Sequence, residues 1–304
     1  LSNAPDANCY RITIKRVSAP PNQPDAPPGA VSNHFHDQVQ EGDLLDVEAP
    51  RGNFTLESEV RRPIVLLAGG VGVTPFVSMV AAMANAESTR EVWLFYGIRN
   101  PDDLAFKNEF DELVDRHRNL HLVICYSDVS EEDVADFDNQ HAEIISVDLL
   151  KKHLDSNNYD YYLCGPPPMM SSLIDALRQW GVPKNQIWTE SFGAASVKAL
   201  SDTESAVAVD DPPEPATTAT GFTVCFSRSN KSGAWDATAS NLLEFAEKNG
   251  VNIDSGCRTG SCGTCKVAIK SGEVRYNVEA DAEGEKGSCL TCIATPVGEL
   301  VLDA

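Results

Sequence analysis

The chain has little positive charge for its length. Over 304 residues it carries 24 lysines and arginines against 45 aspartates and glutamates, a formal net charge of −21. Such a surface repels phosphate backbones and anionic lipid headgroups, so the composition argues against binding to nucleic acid or to a membrane surface. A partner protein with a basic docking surface is what this charge would attract. The excess of acid also serves solubility, and both interpretations hold together.

A secretory signal and a membrane span are also missing from the pattern. Leu1–Pro20 lacks the basic start and apolar run of a signal peptide. Pro63–Ala86 has no charged residue and is long enough to suggest a membrane helix, but its middle, Ala68–Pro75, has the glycines and proline of a turn. The sequence therefore predicts a cytoplasmic protein with no membrane span.

The nine cysteines do not form an even set for a disulfide framework. Four of them stand alone, and five crowd near the end of the chain: Cys257, Cys262, Cys265, Cys289 and Cys292. An odd number of cysteines in a long chain without a signal peptide argues for a reducing compartment and a metal site.

The chain has no internal repeat, and its pattern changes along its length. Residues 1–59 predict short strands and one helical stretch: Tyr10–Arg16, Leu44–Val47 and Asn53–Leu56 as strands, and Ser32–Gln38 as a helix. Residues 200–220 are acidic, contain proline and lack aromatic residues, and they predict an extended linker. Residues 221–304 predict strands with one helix at Asn241–Lys248.

Residues 60–199 alternate between strand and helix. The predicted strands are Ile64–Ala68, Glu91–Tyr96, Leu120–Tyr126, Tyr159–Cys164 and Ile187–Glu190, and the predicted helices are Pro75–Ala84, Ala105–Arg116, Val147–His153 and Met169–Trp180. Such alternation predicts right-handed βαβ units and a parallel sheet. A ligand is then expected at the carboxyl ends of the strands.

Three of the crowded cysteines have a spacing that carries chemistry. Cys257, Cys262 and Cys265 are separated by four residues and then by two. This is the plant-type spacing for a [2Fe–2S] centre, whose fourth thiolate comes from further along the chain. The intervening glycines permit a tight loop and let backbone N–H groups approach the sulfurs. A structural zinc site is the alternative, but it normally uses paired Cys-x-x-Cys knuckles.

The cysteine loop resembles that of plant-type ferredoxins. Leu290–Pro296 looks like the closing Leu-Thr-Cys-x-Ala-x-Pro motif of that family. The resemblance implies that Cys292 is the fourth ligand, with Cys289 as an alternative. It also implies a β-grasp fold for residues 221–304 and a low reduction potential.

Two turns in the second block point to nucleotide binding. Gly70-Val-Gly72-Val-Thr74-Pro75 follows a predicted strand and opens a helix, where glycines let the backbone close on a pyrophosphate. Its last position is proline, so it is not the usual dinucleotide fingerprint. A second turn, Cys164-Gly165-Pro166, follows another predicted strand.

In order and spacing, the two turns together resemble the NAD-binding domain of the ferredoxin-NADP reductase superfamily. The resemblance implies that the nucleotide is held by Gly70, Gly72, Thr74, Pro75, Gly165 and Pro166. It implies that Cys164 lies beside the nicotinamide carbon that gives up hydride, although a buried core thiol is the alternative for a free cysteine.

The choice between NADH and NADPH depends on bases near the ends of the second and third strands, which a 2′-phosphate would need. Arg99 is accompanied there by Asp102 and Asp103, and Ser127–Asp133 has four acids and no base. NADH is therefore the expected substrate, with Arg99 as a candidate contact.

A flavin is implied by the same resemblance, because the superfamily passes hydride to a flavin that releases single electrons. Gly29–His36 resembles the short helix that holds the flavin phosphate in flavohaemoglobin reductase domains, which implies contacts from Gly29, Val31 and Ser32. Two histidines in this stretch could suggest a metal site, but no third ligand lies near them in the sequence.

Two further segments resemble flavin-binding parts of the superfamily. Thr189–Gly193 resembles the segment of phthalate dioxygenase reductase-like proteins that lays an aromatic ring on the flavin, which implies roles for Phe192 and Glu190. A core phenylalanine is the alternative. Leu1–Asp6 looks like the continuation of the signature Arg-x-Tyr-Ser-x-x-Ser. We therefore expect a barrel lacking its first half, with flavin contacts from Ser2, Ile14 and Lys15, and FAD as the flavin, with FMN still open.

The predicted fold class is multidomain. It comprises a partial antiparallel β-barrel (residues 1–59), an α/β parallel-sheet NAD-binding domain (60–199), a linker (200–220) and a β-grasp ferredoxin domain (221–304). The predicted function is an NADH-dependent reductase that passes electrons through a flavin to a [2Fe–2S] cluster and on to an acceptor protein such as a Rieske-type oxygenase. The alternative is a ferredoxin-like carrier on a flavin-free, truncated reductase scaffold. No hydrolase, kinase or nucleic-acid motif competes.

Overall fold

The structure is a computed structural model, and two compact units make up the chain. The residues that it describes are 1–5, 8–19, 25–47, 49–50, 52, 54–56, 61–134, 139–190, 192, 221–236, 238–256, 258, 260, 262–276 and 287–304. The first unit holds residues 1–50, 56–165 and 176–188, and the second holds residues 51–55, 166–175 and 189–304. Within the described ranges, none of the helices combines the length and the apolar composition that crossing a bilayer requires.

A six-stranded sheet in the order β4-β3-β2-β1-β5-β6 dominates the first part of the fold. Its strands are β1 (Ile64–Gly69), β2 (Val92–Ile98), β3 (Leu120–Tyr126), β4 (Gln140–His141), β5 (Asp160–Cys164) and β6 (Ile187–Glu190). The central strand β1 is buried along its whole length and pairs in parallel with β2 and β5. A continuous apolar strand buried on both faces is what a parallel sheet requires, so the α/β prediction is confirmed.

The first of the helices that accompany these strands precedes β1, and the others lie between consecutive strands. The helices are α1 (Ala30–Asp37), α2 (Thr74–Asn85), α3 (Lys107–Arg116), α4 (Glu131–Val134), α5 (Val147–His153) and α6 (Pro167–Gln179). The start of α5 is capped by Ser146, whose Oγ accepts the backbone N–H of Leu149 at 3.1 Å. Basic residues in the last turn of α5 complement the negative end of the helix dipole.

A buried aspartate ties together the amino ends of the central strands. The side chain of Asp160, at the start of β5, is fully buried and forms ion pairs with Arg62 and Arg90. Arg90 Nη2 lies 2.7 Å from Asp160 Oδ2, and Arg90 Nε also donates to the carbonyl of Arg62. A buried carboxylate is tolerated only when it is paired, so this network fixes one end of the sheet. The glycine-rich turn Gly70–Pro75 and the turn Cys164–Pro166 lie at the opposite end of the sheet, where the parallel strands have their carboxyl ends.

Residues 1–59 contain the predicted helix but not the predicted strands. The helix α1 begins two residues earlier than expected, whereas Tyr10–Arg16 and Leu44–Val47 form no strand. Those two strand predictions are wrong, as is the described part of Asn53–Leu56, residues 54–56. A strand is held by hydrogen bonds to a neighbouring strand. Isolated bonds such as Ser2 N–H to Arg11 C=O, at 2.9 Å, take the place of a ladder here.

The C-terminal part of the second unit is a mixed sheet crossed by one helix. Its elements are β7 (Thr223–Phe226), β8 (Lys231–Ala234), α7 (Leu242–Lys248), β9 (Lys266–Ser271), β10 (Val274–Tyr276), β11 (Ser288–Leu290), β12 (Ala294–Pro296) and β13 (Leu300–Leu302). Five strands lie in the order β11-β9-β13-β7-β8, and β10 pairs with β12. The parallel pair β13–β7 beside the hairpin β7–β8 is consistent with the predicted β-grasp arrangement.

The helix α7 supplies much of the core of this domain. Leu242, Leu243, Phe245 and Ala246 are buried, and Phe245 packs 5.2 Å from the ring of Trp235, centre to centre. Asn241 caps the helix, because its Oδ1 accepts the backbone N–H of Glu244 at 2.9 Å. The apolar side of α7 therefore lies against the sheet while its start is fixed by hydrogen bonds.

Candidate functional site

The two turns of the first unit come together at the carboxyl ends of neighbouring strands. β1 and β5 are adjacent, and Ala68 in β1 is in register with Cys164 at the end of β5. The glycine-rich turn and the Cys-Gly-Pro turn thus leave the sheet side by side. Cys164 is fully buried at this point. This is the position at which open parallel sheets bind ligands.

Gly72 makes the close approach of the two turns possible. A Cβ at this residue would overlap the carbonyl oxygen of Cys164 and lie 2.9 Å from the nitrogen of Gly165. Those atoms are backbone and have little freedom to move aside. Glycine is therefore required at residue 72 for the first turn to pack on the second.

The first turn keeps open space at its other glycine. Gly70 has a φ of +53°, and a Cβ there would meet nothing within 4 Å. Residues Gly70–Val73 form a 3-10 turn that leads directly into α2, where Thr74 is buried and Pro75 lies in the first turn. Backbone N–H groups at the start of a helical segment suit a phosphate, so the 3-10 turn that begins at Gly70 fits a nucleotide pyrophosphate.

Arg99 lies just beyond the carboxyl end of β2 and is engaged by an acid. Its Nε is 2.7 Å from Asp103 Oδ2, and its Nη2 is 3.3 Å from Asp103 Oδ1. This hydrogen bonding is also the main reason why the pKa of Asp103 is lowered. The side chain of Arg99 is 68% exposed, and its charge is offset by the paired carboxylate. The guanidinium of Arg99 is therefore already paired with a carboxylate at the place where a 2′-phosphate would need a base.

Glu190 and Phe192 mark the end of the sheet. Glu190 is the last residue of β6, the strand next to β5, and Phe192 is 50% exposed. Ser191 and residues 193–220, which include the predicted linker, lie outside the described residues. An exposed Phe192 ring is available to contact a ligand. Its exposure argues against the alternative of a core phenylalanine.

The predicted flavin residues fall into two groups. Gly29 and Ser32 meet at the start of α1, where Ser32 Oγ donates to the Gly29 carbonyl at 3.0 Å and accepts the N–H of Val17 at 3.2 Å. Val31, in the first turn of the same helix, is 70% exposed. Ser2 is buried and shares a 2.8 Å hydrogen bond with Thr13.

The remaining flavin candidates, Ile14 and Lys15, lie in the extended stretch beside α1. The carbonyl of Ile14 is 2.9 Å from His36 Nε2. His36 therefore has a backbone partner, which weakens the alternative of a metal site at the two histidines of α1. The Lys15 side chain is exposed.

The cysteine loop of the second unit brings two of its four predicted ligands together. Cys265 Sγ lies 3.1 Å from Cys292 Sγ, and this hydrogen bond is the main cause that lowers the pKa of Cys265 to about 6. Cys262 is partly exposed, whereas Cys257 lies outside the described residues. Soft thiolates drawn to one point are the donors that an iron–sulfur cluster needs.

Small residues shape this loop around the sulfurs. Gly260 and Gly263 have φ values of +84° and +72°, which favour glycine. A Cβ at Gly256 would lie 3.1 Å from Cys262 Sγ, and one at Gly260 would lie 2.6 Å from Ile293 Cδ1. The loop thus folds closely over its own thiols, and the residues present fit a [2Fe–2S] cluster.

Cys289, the alternative fourth ligand, has different surroundings. It lies in β11 opposite Val267 and is fully buried in the core of the domain. Burial raises the pKa of its thiol to about 12, which favours the neutral form over a thiolate. These surroundings support Cys292 rather than Cys289 as the ligand.

Sequence reasoning missed several supporting residues. Gly97, at the end of β2, packs so closely that a Cβ would lie 3.2 Å from Ile145 Cδ1. Near the cysteines, Thr291 Oγ1 donates to the Cys265 carbonyl at 3.0 Å, and the hydroxyl of Tyr276 accepts the N–H of Leu290 at 3.2 Å. The Gly in Tyr96-Gly97 at a strand end was a signal that could have been used.

Comparison with known families assigns both parts of the chain. Residues 66–174 match the oxidoreductase NAD-binding domain, and residues 231–297 match the 2Fe-2S iron-sulfur cluster binding domain. The flavohemoprotein of Halalkalibacterium halodurans is 36% identical over 201 residues, which cover 66% of this chain and 48% of that protein. The chain thus spans about half the length of the curated relatives that it matches.

Several solved structures are similar over 90% of the chain, among them the following two. One is a phthalate dioxygenase reductase, described as a modular structure for electron transfer from pyridine nucleotides to [2Fe–2S], with 31% identity, 74% of that chain covered and a TM-score of 0.48. The other is an intact type IV self-sufficient cytochrome P-450 monooxygenase, with 21% identity, 31% of that chain covered and a TM-score of 0.59. The second likeness shows a shared fold.

Proposed function

We propose that this chain, which belongs to the oxidoreductases that join an NAD-binding domain to a [2Fe–2S] ferredoxin domain, is an NADH-dependent electron-transfer reductase. The observation that carries the proposal is the close packing of Gly72 on the backbone of Cys164 and Gly165. It places both nucleotide turns at the carboxyl ends of β1 and β5, in the same chain as the cysteine loop.

In this proposal, the first turn holds the substrate's pyrophosphate and the second orients its nicotinamide. The 3-10 turn that begins at Gly70 offers backbone N–H groups to the phosphates, and Thr74 and Pro75 begin the helix that follows it. Gly165 and Pro166 continue the chain from Cys164 and bound the nicotinamide end. The buried side chain of Cys164 keeps water from this end of the site.

The electrons then have to be divided. When bound, a flavin would take the electron pair of NADH and a [2Fe–2S] cluster would accept electrons singly. FAD is the proposed flavin, with FMN as the alternative. Candidates to hold it are Gly29, Val31 and Ser32 at the start of α1, with Ser2, Ile14, Lys15, Glu190 and Phe192 elsewhere. Cys257, Cys262, Cys265 and Cys292 are the proposed cluster ligands.

NADH is the proposed substrate because the base beside β2 is already paired. Asp103 holds the Arg99 guanidinium through two hydrogen bonds, so a 2′-phosphate would meet a neutralised base and nearby acids. A ribose without that phosphate meets no such repulsion. Arg99 is then a boundary of the adenosine end and not a phosphate ligand.

The proposed acceptor is a protein with a basic docking surface, such as a Rieske-type oxygenase. A net charge of −21 would steer a basic partner to the chain. Association of this kind weakens as salt screens the charges. Transfer to the acceptor should therefore slow at high ionic strength while reduction of small neutral dyes does not.

Two electron acceptors and a variant of one cluster ligand test the proposal. The wild-type chain should oxidise NADH with both ferricyanide, which a flavin can reduce, and cytochrome c, which needs the cluster. Cys292→Ser should keep the ferricyanide reaction and lose the cytochrome c reaction. If a chain that retains its iron oxidises NADH with neither acceptor, the proposed reductase function is rejected.

A second candidate is an electron carrier whose reductase part holds no flavin. The observation that favours it lies in residues 1–47, whose described part forms no strand and exposes large apolar side chains, with Leu44 at 99% and Tyr10 at 66%. In that case the chain would exchange electrons with reduced partner proteins and ignore NADH. The experiment with ferricyanide and cytochrome c separates the two candidates.

A further inference from the structure

Two histidines face each other on the β4 side of the parallel sheet. His141 lies in β4, and His153 is the last residue of α5. Their Nε2 atoms are 3.0 Å apart, and their rings are nearly perpendicular, with an interplanar angle of 81°. The pair lies within the first unit, at the edge strand, and has no part in the proposed reductase function.

Aromatic and buried groups surround the pair. His153 lies 5.7 Å from both Trp93 and Phe95, measured between ring centres. Cys125 in β3 is in register with His141, and burial raises the pKa of its thiol to about 12, so it stays neutral. The two imidazoles therefore pack against partly apolar neighbours, which restrict their rotamers.

One ion pair borders the site. Lys152 Nζ lies 2.9 Å from Glu143 Oε1, so this carboxylate is engaged by a base. Among the residues that the structure describes, no group of three or more His, Cys, Asp or Glu side chains is arranged to hold a metal ion. The two imidazole nitrogens are the donors that converge here.

Protonation of both histidines of the pair is unfavourable. A single proton can be shared between the two nitrogens, but a second one would place two cations together. Burial, followed by the charges of His141 and Lys152, lowers the pKa of His153. The lowered pKa of His153 favours its neutral form, which is the form that binds metals.

The spacing matches two ligands on one metal. Imidazole nitrogens at about 2.0–2.1 Å from an ion, with an angle of 90–109° between them, lie about 2.9–3.4 Å apart. The observed separation of 3.0 Å falls within this range. In the structure the two Nε2 atoms share a hydrogen bond, and an ion would take the place of the shared proton after rotation of the two side chains.

We propose that His141 and His153 form a binding site for a divalent transition-metal ion of the class that prefers imidazole, such as Zn²⁺ or Ni²⁺. Water fills the remaining coordination positions, so the ion exchanges with solvent, unlike one in a closed four-ligand site. The ion links β4 to the end of α5, and it stabilises the native state to the extent that it binds only that state.

Equilibrium dialysis of the full chain against Zn²⁺ tests the proposal, with zinc and iron counted in the same samples. At the concentration where its site is half filled, the wild type should hold about half a zinc per chain more than His141→Gln or His153→Gln, and at saturation one more. His121→Gln is the matched control, because His121 stacks on Trp93 at 4.2 Å but is not part of the pair. This control should bind as the wild type does.

Ni²⁺ quenching provides a second readout, because Trp93 lies beside His153. The wild type and His121→Gln should share a saturable loss of tryptophan fluorescence that both pair variants lack. Should a pair variant fail to fold, Lys152→Gln keeps both imidazoles and removes a neighbouring cation, and it should bind Zn²⁺ more tightly than the wild type. Equal zinc in the wild type and a folded pair variant, or no gain with Lys152→Gln, would leave a hydrogen-bonded imidazole pair only.

Discussion

Replacing Gly72 with alanine perturbs the contact that joins the two nucleotide turns. The added Cβ would overlap the Cys164 carbonyl and press on the Gly165 nitrogen. Neither atom belongs to a flexible side chain, so the turn at residues 70–73 has to move away from the end of β5. The substitution therefore acts on the spacing of the two turns rather than on the chemistry of a side chain.

The expected cost can be worked from packing. Forcing an extra methyl group into a close-packed site costs about 1–3 kcal/mol. If that energy appears as lost nucleotide affinity, the dissociation constant of NADH rises about 5- to 150-fold. Gly70→Ala is the matched control, because it also adds one methyl group to the turn but meets nothing within 4 Å. Its φ of +53° adds strain of about 1–2 kcal/mol without displacing the second turn.

The assay combines anaerobic NADH binding with urea unfolding of both variants. Gly72→Ala should weaken NADH binding more than Gly70→Ala does, even where the two lose similar stability. The visible spectrum of the cluster should be unchanged in both, since the cysteines lie in the other unit. Wild-type NADH affinity in Gly72→Ala would refute the role assigned to this contact.

Four further outcomes are expected. Asp160→Asn removes a buried charge shared by two arginines, and urea unfolding should show a loss of about 3 kcal/mol. Cys292→Ser should abolish or shift the cluster's visible and paramagnetic resonance spectra, whereas Cys289→Ala should keep them; the reverse pattern would exchange their roles. Asp103→Asn should free its arginine partner and raise kcat/KM for NADPH relative to NADH by about tenfold, measured by steady-state kinetics. With EDTA present, the free energy of unfolding should fall as pH drops below about 6.5. The reason is that His153 has a lowered pKa in the folded state, so it binds a proton in the unfolded chain before it does so in the folded one. His153→Gln should make the free energy of unfolding less dependent on pH in this range.

The parts that the sequence predicted are those with local signals. The spacing of Cys257, Cys262 and Cys265 is a property of nine consecutive residues, and the domain match at residues 231–297 agrees with the cluster type predicted from it. The buried run in β1 and the alternation of strands and helices likewise predicted a parallel sheet, which the structure contains. Capping and periodicity located the predicted helices to within a few residues, but the four-residue helix Glu131–Val134 was missed.

The parts that were missed depend on partners distant in the sequence. β4 has two residues, too few to show any alternation, and it exists because β3 offers an edge. Tyr10–Arg16 alternates as a strand should, yet no ladder holds it. The contact between Gly72 and Cys164 joins residues far apart in the chain, and the facing rings of His141 and His153 belong to separate elements. Only the assembled sheet brings such groups together.

The most direct test of the account is an anaerobic titration of the purified chain with NADH, with iron and flavin content measured on the same sample. We expect about one flavin and two irons per chain, and bleaching of flavin and cluster absorbance together as NADH is added. A red-brown chain that holds iron but no flavin, and whose spectrum does not respond to NADH, would contradict it.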